Sequence, residues 1–295
     1  MRRPMSQTRI FVLAAAEGAL DPGTVESLRS AWGGTAPRWL SPRQAAEFEA
    51  PLPDSFEEAR AGLDAQGIDL NAVRPEGRRK RLLLADMDST MIAQECIDEL
   101  AVHAGVGERV AAITARAMNG EIGFEGALRE RVGLLAGLPV AAINETIADR
   151  LTLAPGGRAL VATMRAQGAR AELVSGGFTA FTAWVVDQLG FDGHRANVLE
   201  VERGRLTGGV GEPILGRDAK VERMRDLCAE MGIAAADVLA VGDGANDLGM
   251  IRAAGMGVAV HAKPAVQAEA PLRVNHGDLS ALLYLQGIAR DDFAA

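Results

Sequence analysis

Asp86 and Asp88 stand one residue apart at the end of the apolar run Leu82-Leu-Leu-Ala85. Short apolar runs bounded by polar residues fold as buried strands. Extended backbone repeats every two residues, so both carboxylates are expected on one side of the chain. Carboxylates that close repel each other, and either one takes a proton or a cation sits beside them. Further polar groups follow later apolar runs: Ser175-Gly-Gly177 comes after Arg170-Ala-Glu-Leu-Val174, and Gly242-Asp-Gly-Ala-Asn-Asp247 after Val238-Leu-Ala-Val241. The carboxylates Asp86, Asp88, Asp243 and Asp247, gathered at one rim, call for a cation. An all-oxygen cluster suits Mg²⁺, which takes one or two carboxylates plus substrate phosphate. Ser175, Gly176 and Gly177 offer a hydroxyl, close backbone approach and free N–H groups at a helix start, where an anion is favoured. Lys220 is one of three lysines among 31 basic residues. It is expected at the start of a helix with Asp218 as its N-cap and Gly232 near its end. Where arginine is the usual basic residue, a lone lysine points to a use for its point charge.

Taken singly, Asp-x-Asp, Ser-Gly-Gly and Gly-Asp-Gly are ordinarily turns, and their weight comes from succession at strand ends. Other chemistries lack their residues. No glycine-rich Gly-Lys-Ser/Thr turn follows a strand, and the four histidines stand in dissimilar contexts with no metal or triad spacing. Cys96 and Cys228 are far apart, among apolar neighbours, and are expected as buried small hydrophobes in a reducing compartment. A carboxylate nucleophile remains. The formal net charge of −8 speaks against sequence-independent nucleic-acid binding, and the basic run Arg78-Arg-Lys-Arg81 is expected as a solvated interdomain junction. No apolar run approaches the ~20 residues of a membrane span. Ile10 to Ala16 follows Arg2 and Arg3 as a secretory signal would, but Glu17 comes directly after it, so it reads as a first strand and the protein as cytoplasmic.

The elements that must position these groups fall into three blocks within 295 residues of ordinary globular composition, 48% hydrophobic and 24% charged. Residues 1–78 read as a small accessory α/β domain with a strand from Arg9 to Ala15 and a helix from Pro22 to Trp32, closed by the linker Pro75-Glu-Gly77. Residues 79–295 alternate apolar strands with amphipathic helices, which argues for a parallel sheet covered on both faces. Helices are expected from Phe178 to Leu189 and from the Gly242 loop through Ala253. A further strand is expected at Gly257 to Val260. Val198 to Glu202 and Arg205 to Gly208 form a predicted hairpin turning at Arg203-Gly204. From about 92 to 155 helical patterns interrupt the sheet after its first strand, which predicts a helical cap above that strand's end. In such sheets ligands bind outside the carboxyl ends of the strands.

Asp86-Met-Asp-Ser-Thr90, Ser175-Gly-Gly177, Lys220 and Gly242-Asp-Gly-Ala-Asn-Asp247, in that order, resemble the motifs of haloacid-dehalogenase-type phosphatases. The resemblance covers about residues 80 to 290. It extends to the cap stretch Ala117-Met-Asn-Gly-Glu-Ile-Gly-Phe-Glu-Gly-Ala-Leu-Arg-Glu-Arg-Val-Gly-Leu-Leu135, which is similar to that of members acting on O-phospho-L-serine. It implies a Rossmann-like core with a helical cap, and Mg²⁺-dependent release of serine and phosphate as the last step of serine biosynthesis. Asp86 is then the nucleophile and Asp88 the general acid/base. Mg²⁺ is held by Asp86, Asp243 and the backbone carbonyl of Asp88, and Asp247 supports it. Ser175, Gly176, Gly177, Lys220 and Asn246 hold the phosphate side. Glu95 is expected on the substrate ammonium, with Phe124 as an aromatic wall and Arg131 on the carboxylate. Phe124 and Arg131 are seven residues apart and so share a helix face; periodicity alone favours Glu95 and Arg131 as solvated helix charges and Phe124 as core, and it is the resemblance that gives all three a role. Gly126-Ala127 and Gly249 depart from the family pattern; glycine in a helix costs up to ~1 kcal/mol. The N-terminal block, which in this family is sometimes an ACT-like amino-acid-binding regulator, carries no chemical cluster. A small-molecule substrate is the expected partner, with neither nucleic acid nor membrane; monomer and homodimer stay open.

Overall fold

Hydrophobic alternation builds the first sheet. In the computed structural model, which describes residues 8–118 and 121–294, β1 (Thr8–Ala15) is followed by α1 (Pro22–Ala31), β2 (Arg38–Ser41), β3 (Ala45–Pro51), α2 (Phe56–Asp64) and β4 (Ile68–Val73). The strands form an antiparallel sheet in the order β2-β3-β1-β4. Phe11 stands opposite Phe48 and Ala72, and Leu13 opposite Ala46 and Leu70. Phe11, Leu13 and Ala15 turn one face into a core with Leu20, Val25, Phe48 and Leu63. Asp21 caps α1 by accepting the Thr24 N–H, and Pro22 occupies the first helical position, where a missing N–H costs nothing. The sequence reading found β1 and α1; it left β2, β3 and β4 unassigned.

The second sheet has six parallel strands. β5 (Leu82–Ala85), β6 (Arg170–Phe178), β7 (Gly193–Asn197), β10 (Val238–Gly242), β11 (Met256–Val260) and β12 (Leu272–Val274) are arranged β12-β11-β10-β5-β6-β7. The registers of β6 on β7, β10 on β11 and β11 on β12 are parallel. Helices α7 (Gly157–Ala166), α8 (Thr179–Leu189), α9 (Arg217–Met231), α10 (Leu248–Ala253) and α11 (Pro264–Glu269) alternate with the strands, and α12 (Ala281–Leu285) follows the last. After β5 comes the expected helical interval: α3 (Cys96–His103), α4 (Gly107–Met118), α5 (Phe124–Gly133) and α6 (Ala141–Arg150). Its two ends tie together, Ala93 N–H to the Thr152 carbonyl and Ala154 N–H to that of Met91. Asn119 and Gly120 of the cap stretch lie outside the described residues. The hairpin β8 (Leu199–Glu202) and β9 (Arg205–Val210) turns at Arg203 and Gly204, both at positive φ, as a two-residue turn matching the strand twist requires.

Four local expectations are corrected. β6 does not stop at Val174. It continues through Ser175-Gly-Gly177 as a bulge, because β7 sets Val174 against Arg195 and Phe178 against Asn197, four residues' advance against two. Asp218 is not the N-cap of α9; it lies inside the first turn, where its charge still complements the helix N-terminus. The basic run is not uniformly solvated. Arg78 has only 10% of its side chain exposed, pairs with Glu47 at 2.8 Å and donates to the Leu285 carbonyl. Cys96 is buried as expected, but Cys228 is only half-buried.

The chain divides into two compact units, one of residues up to 83 with 155–170 and 232 onward, the other of 84–154 with 171–231. In the first, α12 packs on β1 and β4 packs beside β12.

Candidate active site

Within the unit of residues 84–154 and 171–231, the wholly buried β5 delivers the chain to Asp86, itself 5% exposed. The strand has already ended there. The Met87 carbonyl accepts the N–H groups of Thr90, Met91 and Ile92, and Ser89 adopts φ +54°, so the chain reverses at once. The regular strand alternation expected to orient both carboxylates therefore ends before Asp86, and the turn places Asp88. Asp86 Oδ1 meets Lys220 Nζ at 2.7 Å, and the lysine is 2% exposed. Asp88 Oδ1 accepts the Cys96 N–H at 2.9 Å, and its Oδ2 accepts from Ser175 Oγ at 3.4 Å. Burial, and then the negative charge of Glu95, push the Asp88 carboxyl up to about 6. An acid with that proton affinity can both give and take a proton near neutral pH. Burial likewise pushes the Cys96 thiol up, so it stays a neutral donor and no nucleophile.

The bulge in β6 shapes the opposite wall. Gly177 N–H donates to Ser175 Oγ at 2.9 Å. A Cβ on Gly177 would lie 2.6 Å from Asp88 Oδ2, and one on Gly176 would lie 3.4 Å from the Phe124 ring. A side chain at position 177 would force Asp88 or the backbone to shift, whereas at position 176 the contact would be an ordinary one. Phe124, 41% exposed at the start of α5, lies across Gly176 and Gly216. Seven residues on, Arg131 donates Nε to the Ala127 carbonyl at 3.3 Å and Nη1 to Thr114 Oγ1 at 3.5 Å. Its burial lowers the guanidinium pKa; the charges of Asp98, Glu95 and Asp88, in that order, oppose the shift. Glu95 itself is exposed and accepts from Ser89 Oγ at 2.8 Å. Sequence reasoning missed Asp98. It stands in the first turn of α3, three residues after Glu95, which precedes the helix, a spacing that could have drawn notice. Its Oδ1 is buried without a hydrogen-bond partner among the described residues, and burial raises its pKa.

In the other unit, β10 is buried throughout and opens into Asp243-Gly-Ala-Asn-Asp247. Asp247, fully buried, curls back to accept the Gly244 N–H at 3.0 Å. A Cβ on Gly242 would lie 2.3 Å from Asp247 Cγ, so Asp247 curls back closely over a glycine; one on Gly244 would lie 2.2 Å from Asn246 Oδ1, a side-chain tip that must turn aside. Asp243 and Asn246 are half-buried. The structure thus places Asp86, Asp88, Glu95, Phe124, Arg131, Ser175, Gly176, Gly177 and Lys220 in one unit and Asp243, Asn246 and Asp247 in one loop of the other. Among the described residues no helix is long and apolar enough to cross a membrane.

A family model described as haloacid dehalogenase-like hydrolase matches residues 83–252. A phosphoserine phosphatase of Polaromonas sp. is 44% identical over 226 residues, 74% of this chain and 96% of that one. A phosphoserine phosphatase of Streptomyces coelicolor is 43% identical over 233 residues, 78% of this chain. The match spans 57% of that longer relative. The solved structure of a haloacid dehalogenase-family hydrolase from Salmonella enterica serovar Typhi superposes with a TM-score of 0.85 at 30% identity, covering 94% of this chain and 98% of that one.

Proposed function

The chain belongs to the haloacid dehalogenase-like hydrolase family, and from that premise we propose that it hydrolyses O-phospho-L-serine to L-serine and phosphate through an aspartyl phosphate. The observation that carries this reading is the buried Asp86–Lys220 pair, next to a second carboxylate, Asp88, whose proton affinity is raised to about 6. Asp86 attacks phosphorus in line, and the bond from phosphorus to the serine oxygen breaks as Asp88 protonates that oxygen. A water then attacks the aspartyl phosphate; Asp88 takes its proton, phosphate leaves, and Asp86 is regenerated. Lys220, the Ser175 hydroxyl and the Gly176 N–H hold the phosphoryl oxygens, and Gly177 leaves room for Asp88. Asn246 and Asp247 support that side from their loop.

The donor set fits a hard divalent cation. Asp86, Asp243 and Asp247 offer carboxylate oxygens of the kind such an ion takes. We assign Asp86, Asp243 and the Asp88 carbonyl as the residues that would hold Mg²⁺, with Asp247 behind them. When bound, the ion would offset charge on the phosphoryl oxygens. Arg131 can grip the substrate carboxylate with two parallel hydrogen bonds; Glu95 takes the ammonium, and Phe124 walls the pocket. The curated relatives' names support phosphoserine as substrate. A place as the last step of serine biosynthesis follows from that product, and two free cysteines suit the cytoplasm.

Phosphate release from L-phosphoserine, D-phosphoserine, phosphothreonine, phosphoethanolamine and a sugar phosphate, with Mg²⁺ and with excess chelator, tests the reading. Activity is expected to need the ion and to favour L-phosphoserine strongly over phosphoethanolamine, which lacks the carboxylate. A flat substrate profile would remove the assigned roles of Glu95, Phe124 and Arg131. Full activity in chelator would remove the metal.

A further inference from the structure

We propose that Asn197 is a positioning residue for this reaction, its buried amide locking the Ser175-Gly-Gly bulge to the segment that opens α9. Asn197 ends β7 and is 1% exposed. Its Nδ2 donates to the Gly176 carbonyl at 2.8 Å and to the Leu215 carbonyl at 3.3 Å, while its Oδ1 accepts the Leu215 N–H at 2.7 Å. Both donors and the acceptor are thus spent on the backbone of two segments distant in sequence.

Each segment leads to a group the mechanism uses. The Gly176–Gly177 peptide is planar, so anchoring its carbonyl fixes the direction of the Gly177 N–H. That N–H donates to Ser175 Oγ at 2.9 Å, and the hydroxyl in turn faces Asp88 Oδ2 at 3.4 Å. On the other side, Leu215 precedes Gly216, which lies against the Phe124 ring, and then α9, whose Lys220 holds Asp86. One amide therefore aims the hydroxyl beside the proton-transferring carboxylate and pins the start of the helix that bears the lysine. Truncating it would leave three backbone polar groups unpaired in a partly buried place, and the bulge would relax to pair them elsewhere. Among the described residues the Asn197 amide bonds to Gly176 and Leu215 and not to Asp86, Asp88 or Lys220, so it acts through its neighbours.

The inference rests on the phosphatase reading, and the test separates the two. Turnover and KM are measured for wild type, Asn197→Ala and Asn197→Asp on both phosphoserine and p-nitrophenyl phosphate, well below each protein's melting temperature. Asp keeps the shape and the acceptor but loses the two donors. The core variant Leu189→Ala, at a position 4% exposed, serves as the stability control. Both Asn197 variants are expected to lose about 30-fold or more in kcat on both substrates. Leu189→Ala, even with an equal loss of melting temperature, should stay within about threefold of wild type. The proposal is overturned if either folded Asn197 variant keeps kcat within that range, or falls no further than the control. Should neither fold, Asn197→Ser is measured in the same way; if it too fails to fold, the residue is a folding determinant and the proposal fails. A wild type active on the aryl phosphate and inactive on phosphoserine would sink the substrate assignment, while the aryl ester would still decide the role of Asn197.

Discussion

A carboxylate next to an ammonium, both removed from water, is costly unless each stays paired with the other. Asp86 and Lys220 meet that condition at 2.7 Å. Asp88 has neutral donors instead, the Ser175 hydroxyl and the Cys96 N–H, and its proton affinity rises. Two carboxylates one residue apart in sequence are thus given different surroundings, as the opposite tasks proposed for them require. Asp86→Asn removes the proposed nucleophile, and turnover should drop by on the order of a thousandfold or more. No phosphate label should survive on acid-quenched protein; a labelled variant would move the nucleophile elsewhere. Gly177→Ala tests the same geometry by crowding. Its Cβ would sit 2.6 Å from Asp88 Oδ2, so Asp88 or the bulge must shift. A displacement of about 1 Å can cost about a hundredfold in rate. That loss in kcat is expected with an unchanged circular dichroism spectrum, and full activity would mean that the contact relaxes without consequence.

Among the elements, the bulge in β6 has the largest consequence for the site. A regular strand would alternate Ser175, Gly176 and Gly177 across the sheet; the extra length instead turns the backbone toward Asp88 and Phe124. The strands that sequence periodicity identified well, β5, β10 and β11, are uninterrupted buried apolar runs. It failed at the short β2, and at β3 and β4, where Glu47 in the one and Asp69 and Asn71 in the other interrupt the pattern although all three are buried. Their partners come from far along the chain, which no local pattern records. The packing of α10 on β11 gives a sharper test. A Cβ on Gly257 would lie 1.8 Å from the Ile251 carbonyl oxygen, and backbone yields less readily than a side chain. Gly257→Ala should destabilise the protein by about 1–3 kcal/mol or more, read from the urea midpoint. A midpoint equal to that of wild type would mean that α10 moves freely over the sheet.

Across the whole molecule, the N-terminal sheet belongs to the same compact unit as β10, β11 and β12. Asn71 pairs with both backbone groups of Arg273 at the edge strand β12, and Asp69 accepts the N–H groups of Asn275, His276 and Gly277. An edge strand presents unpaired backbone groups, and here β4 side chains satisfy part of that row. Arg78 adds a charge pair to Glu47, whose side chain is 9% exposed. Among the described residues, Arg78→Met leaves Glu47 paired with the exposed Arg38 alone. Loss of a buried partner costs about 3 kcal/mol. Urea denaturation should report a loss of that order, with kcat on phosphoserine within about twofold of wild type. A stable variant would mean that Arg38 alone suffices, and a collapse of kcat at full folding would tie this pair to the chemistry.

The sequence by itself determined the order of the chemical groups, the alternation of strand and helix around them, and the helical interval after β5. Those features are local: apolar runs of strand length, polar groups at their ends, and helical periodicity. Only the tertiary structure decided which carboxylate meets Lys220, that the Ser-Gly-Gly segment is a bulge, that Asp98 lies near Arg131, and that Asn197 bonds to Gly176 and Leu215. Each of these depends on partners brought together across long stretches of chain. Asn197 at the end of a short strand looks like any turn-favouring residue until Gly176 and Leu215 fold onto its amide.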